Sequence, residues 1–66
     1  MIEVKKLQML FEFGIPIQIL ARECRCSPSS IRNYIAGTAL PSGSKQIAIK
    51  DGLKRFTDMI IEITKE

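Results

Sequence analysis

The chain has 66 residues, so it is one domain close to the lower size limit for independent folding. Ten Lys and Arg against seven Asp and Glu leave a formal net charge of +3, a mild basic bias. There is no His, no paired carboxylate in an apolar context, no Gly-rich phosphate loop and no base to activate a Cys nucleophile, so an enzyme is not expected. So short a chain also encloses no pocket for a small-molecule substrate. The two cysteines, Cys24 and Cys26, form a C-x-C with no further Cys or His to complete a metal site. They read as small buried apolar groups, and no cofactor is expected. No apolar run is long enough to span a bilayer and no signal peptide is recognisable, which makes a cytoplasmic location the expectation. The apolar content of 45% is high for so small a surface and points to self-association.

In chain order, the spacing predicts a first helix over 2–13. Val4, Leu7, Leu10 and Phe11 form its main apolar stripe, and Ile2, Met9 and Phe13 a second one. Gly14 terminates this helix, and Ile15-Pro16 leads onward.

The next two helices are short and closely joined. In 17–24, Ile17, Leu20, Ala21 and Cys24 fall at i, i+3, i+4 and i+7, one face of a helix. After Arg25-Cys26, Ser27 is a suitable N-cap and Pro28 a suitable first helical residue. Over 28–36, Ile31, Tyr34 and Ile35 point inward. Ser29, Arg32, Asn33 and Ala36 form a small, polar or basic outer stripe. Gly37 stands in the usual position just past a helix end.

The stretch Gly14–Gly37 resembles the helix-turn-helix of phage-repressor and Cro-like DNA-binding proteins. The match rests on Ala21 where the two helices cross, Cys26 after the turn, Ile31 midway in the second helix, Tyr34 three residues later, and Gly37 beyond it. Gly14-Ile15 matches the usual approach to the first helix of the motif. Two positions depart from the pattern. Arg25 stands where the turn often has Gly, which asks a non-Gly residue to adopt the left-handed region. Pro16 stands where a capping Ser or Thr is usual.

Thr38 to Gly43 forms a loop rich in turn formers. Leu40 is expected to plug back into the core, and Ser42 or Ser44 to cap the last helical region. Over 44–65, Ile49, Leu53, Phe56, Ile60 and Ile63 recur at spacings of three and four, which argues for helix, either one long helix bent near Gly52 or two helices broken there, with the single helix preferred. The alternative is a short strand over 46–50 turning at Asp51-Gly52. Met59, Ile60, Ile61 and Ile63 surround the helix axis, so one face stays wet unless a second chain covers it.

The expected fold is all-α: four to five helices in a single domain over 1–66, with a long C-terminal helix. Within it, 17–36 would be the helix-turn-helix and 44–65 a dimerisation region. The resemblance implies a sequence-specific regulator of transcription, of the repressor kind and of phage or prophage type, binding double-stranded DNA as a homodimer. Ser29, Ser30, Arg32 and Asn33 are then the base-contacting candidates. Arg32 suits guanine O6 and N7, and Asn33 suits adenine N6 and N7. Gln18, Arg22, Arg25, Ser27 and Lys45 are the phosphate-contacting candidates. From 22 to 55 the bases Arg22, Arg25, Arg32, Lys45, Lys50, Lys54 and Arg55 face only Glu23 and Asp51, a block suited to phosphates. Phe56, Met59, Ile60 and Ile63 are the candidate dimer seam. The competing hypothesis is a non-enzymatic interaction module, antitoxin- or anti-repressor-like, docking a partner on the apolar C-terminal helix.

Overall fold

A computed structural model of the chain describes residues 2–65. It contains four helices and, among the described residues, no strand: α1 (Ile2–Glu12), α2 (Ile17–Cys24), α3 (Pro28–Ala36) and α4 (Gly43–Thr64). The expected all-α class holds, with four helices. The first helix stops one residue short of the expected Phe13. The strand alternative for 46–50 is overturned, because these residues belong to α4.

Local chemistry sets the ends of the elements. α1, α2 and α3 each finish on a residue in the left-handed region: Gly14 (φ 102°), Arg25 (φ 55°) and Gly37 (φ 79°). At each end the next residue's N–H returns to a carbonyl five residues back: Ile15 to Leu10, Cys26 to Ala21, and Thr38 to Asn33, at 3.0–3.1 Å. These are Schellman closures, which satisfy carbonyls that the helix leaves without partners. Glycine adopts that conformation freely at two of the three sites. At the third an arginine holds it, at a cost of about 1 kcal/mol. Ser27 caps α3 by accepting from the Ser30 N–H at 3.1 Å. Ser42, one of the two expected caps, does the same for α4 through Lys45 N–H at 3.4 Å.

Each helix contributes to one core. Leu7 of α1, Leu20 and Cys24 of α2, Ile31 of α3 and Ile49 of α4 are completely or almost completely buried. Burying a Leu or Ile in this way stabilises by about 1.5–3 kcal/mol each. α2 is packed by both α3 and α4, while α1 lies across α3 and α4. Gln8 of α1 donates to the Ile35 carbonyl at 3.0 Å and so closes the C-terminal end of α3.

The contact between α2 and α4 depends on Gly52. A Cβ there would lie 2.6 Å from the carbonyl carbon of Glu23 and 2.8 Å from Cys24 Cα. Ordinary carbon–carbon contact is about 3.5–4.0 Å. Gly52 therefore neither breaks α4 nor sits idle in it, but is where the backbones of α2 and α4 meet. Beside it, Arg55 Nη2 donates to the Glu23 carbonyl at 2.6 Å.

Two expectations about apolar residues are corrected. Leu40 does not plug the core; it is 73% exposed. Ala39 and Pro41 turn inward, and Leu40 between them turns out. On α1, Val4 and Leu7 are buried, but Phe11 of the main stripe is exposed, as are Ile2 and Met9 and, just past the helix, Phe13.

Candidate nucleic-acid interface

The unit formed by α2, the Arg25–Ser27 turn and α3 divides cleanly by burial. Leu20, Ala21, Cys24, Ile31 and Tyr34 face the core. Gln18, Arg22, Arg25, Ser27, Ser29, Arg32, Asn33 and Ala36 are all exposed, and so is Lys45 at the start of α4. On α3 the exposed Ser29, Arg32, Asn33 and Ala36 follow the i, i+3, i+4, i+7 spacing and so share one stripe. Of the candidate base-contacting residues only Ser30 is half-buried. Its hydroxyl oxygen accepts from Ser27 Oγ at 2.9 Å, within the cap of α3.

The basic block does not act as one surface. Arg55 is committed to the Glu23 carbonyl. Lys50 and Lys54 line an open groove between α1 and α4 together with Glu3, Lys6, Asp51 and Asp58, where acids balance them. Arg22 Nε lies 3.4 Å from Glu23 Oε2, but with the arginine side chain 72% exposed this pair is worth little. Arg22, Arg25, Arg32 and Lys45 remain as bases on or beside the α2–α3 unit. Arg25 projects from a turn whose backbone is held in the left-handed region.

The two thiols differ. Cys24 is completely buried, and its S–H points at the Ile49 carbonyl 3.9 Å away. Burial, with a smaller contribution from the neighbouring Cys26, raises its pKa to about 11 against the pull of Arg55. Such a thiol is protonated and inert at neutral pH. Cys26 is only half-buried and donates to the Cys24 carbonyl at 3.3 Å, so the expected burial of both thiols holds fully for Cys24 alone. No group of three His, Cys, Asp or Glu side chains converges as a metal site among the described residues.

The candidate dimer seam needs one correction. Phe56 is buried within its own chain, 7% exposed, and is the last buried residue of α4. It lies one turn beyond Gly52, where α4 is drawn tightly against α2. From Thr57 to Thr64 every residue is exposed, an overhang of about 12 Å at 1.5 Å per residue. Met59, Ile60, Ile61 and Ile63 project from it with 43%, 42%, 57% and 69% of their surface exposed.

Sequence reasoning missed Gln8 and Arg55 as closures of helix ends, and it missed Thr38. Thr38 Oγ1 reaches both Oδ1 and the carbonyl oxygen of Asn33. For Arg55 a signal existed, a glycine standing within an apolar helical stripe three residues before a long cation. For Gln8 nothing local announced the contact.

These features define an all-helical domain of four helices. Its second and third helices present a polar and basic outer face, and its fourth an apolar overhang. Comparison with models of protein families, with characterised proteins and with solved structures finds no match to this chain. No described helix is long and apolar enough to cross a membrane.

Proposed function

We propose that the protein is a sequence-specific DNA-binding regulator of transcription, in which α2 and α3 act as a helix-turn-helix and α3 enters the major groove. One observation carries the reading. The stripe Ser29, Arg32, Asn33 and Ala36 is wholly exposed on a helix whose opposite stripe is anchored in the core. A helix fixed on one side and polar on the other is what base-edge readout requires. Arg32 reads guanine O6 and N7, and Asn33 reads a neighbouring base edge. Arg22, Arg25 and Lys45, with Gln18 and the capping Ser27, hold phosphates on either side.

The apolar overhang of α4 supports a homodimer. Single small domains of this kind read few base pairs, so affinity comes from pairing on two half-sites. A twofold contact through Met59, Ile60 and Ile63 sets a palindromic site with half-sites roughly 34 Å apart. The same overhang favours the second reading, a docking helix for another protein, if the chain binds no DNA.

Selection of bound sites from random DNA, followed by a salt titration, tests the function. The expected result is a palindromic site whose affinity falls steeply with salt. Arg32→Ala weakens that site by about 1–3 kcal/mol and relaxes one base pair, with folding unchanged. An absence of any binding at low salt refutes the DNA reading.

A further inference from the structure

Thr38 follows the glycine that ends α3. Its hydroxyl oxygen lies 3.2 Å from Asn33 Oδ1 and 3.3 Å from the Asn33 carbonyl oxygen. That carbonyl already accepts three backbone N–H groups, those of Gly37, of Thr38 at 3.0 Å and of Ala39 at 3.3 Å, so its two lone pairs are fully used. A threonine hydroxyl has one hydrogen to donate. Its best use is therefore Oδ1, the nearer acceptor and the one without a backbone donor. Thr38 is itself tied down by the Schellman closure of α3, so its hydroxyl is an anchored donor. Held in this way, the Asn33 carboxamide keeps its oxygen turned back toward Thr38. Its two Nδ2 hydrogens are left to lead from the exposed stripe.

We propose that Thr38 is a positioning residue that makes Asn33 a hydrogen-bond donor to the DNA. This inference rests on the DNA reading above. It also changes the base that Asn33 prefers. Bidentate recognition of adenine needs the carboxamide oxygen turned outward to accept from N6, and here it is turned back toward Thr38, whereas guanine offers only acceptors, N7 and O6, along the same edge. Asn33 oriented by Thr38 favours guanine.

Two measurements test this. In the free protein, side-chain couplings of Asn33 report one rotamer in the parent, averaging in Thr38→Val and a single rotamer again in Thr38→Ser. In site selection, Asn33→Ala identifies the base pair that Asn33 reads. The parent and Thr38→Ser select guanine there, and Thr38→Val loses about tenfold of that discrimination. Averaged rotamers in the parent, or a Thr38→Val variant with the parent's base preference, overturn the role of Thr38 while leaving DNA binding in place. A parent that selects no sequence overturns the DNA reading itself, and the guanine assignment falls with it.

Discussion

Replacing Gly52 with alanine sets two physical effects against each other, and the structure decides which wins. By helix propensity alone, alanine inside a 22-residue helix gains about 1 kcal/mol over glycine. The α2–α4 contact opposes this gain. The new methyl would lie 2.6 Å from the Glu23 carbonyl carbon and 2.8 Å from Cys24 Cα, both main-chain atoms that no rotamer change can remove. Relieving the clash requires α2 and α4 to separate by about 1 Å, given normal contact distances. That movement also loosens Ile49 and Leu53 against Leu20, Ala21 and Cys24, and stretches the Arg55 contact with Glu23. Overpacking of this kind costs about 1–3 kcal/mol, and a clash with main-chain atoms that cannot turn aside lies at the upper end, so the net effect is destabilisation by about 1–2 kcal/mol. For a domain of this size, each kcal/mol lowers the melting temperature by about 4–8 °C. Thermal unfolding followed by far-ultraviolet circular dichroism measures the shift. Gly43→Ala is the control, because no atom lies within 4 Å of a Cβ built there, and its stability should stay within about 0.5 kcal/mol of the parent. A Gly52→Ala protein that melts at or above the parent temperature would refute the close approach of α2 and α4.

The other predictions follow from single residues. Arg25→Gly removes the left-handed arginine and should stabilise the fold by about 1 kcal/mol in urea unfolding, while weakening all DNA sequences alike and reducing the salt slope by about one; an unchanged slope excludes a phosphate contact. The raised pKa of Cys24 means that the folded state holds the thiol proton more tightly than the unfolded chain, so its contribution is intact below pH 9.0 and is lost as pH rises toward about 11. Stability should fall by about 2–3 kcal/mol across that window, and a Cys24→Ala protein, less stable at neutral pH, should lack this component. Under native conditions a thiol reagent should label Cys26 rapidly and Cys24 only through unfolding, so equal rates at both would contradict the burial of Cys24. Ile60→Asp should convert the proposed dimer to a monomer in sedimentation equilibrium at micromolar concentration, with the melting of the monomer fold nearly unchanged because Ile60 lies on the exposed overhang. A parent that sediments as a monomer throughout removes the α4 dimer.

Most helix boundaries were legible in the sequence because their causes are local. Ser27 with Pro28, Ser42, Gly14 and Gly37 act on backbone groups within a few residues, and the 3.6-residue period of Leu20, Ala21, Cys24, Ile31 and Tyr34 selects the inward face without reference to the rest of the chain. The outer stripe of α3 follows from the same period, so its exposure was also readable. Other features depended on neighbours brought together through space. Whether Gly52 breaks a helix or seats one depends on the Glu23–Cys24 backbone opposite it. Arg55 leaves the basic block because a carbonyl 32 residues away takes its donor. Phe56 is buried and Ile60 exposed, although both lie on one apolar stripe, because close coverage of α4 by the other helices ends after Phe56. Sequence period tells which side chains share a face. Only the tertiary arrangement decides how far along the helix that face is covered, because coverage is set by the length and placement of the partner helices.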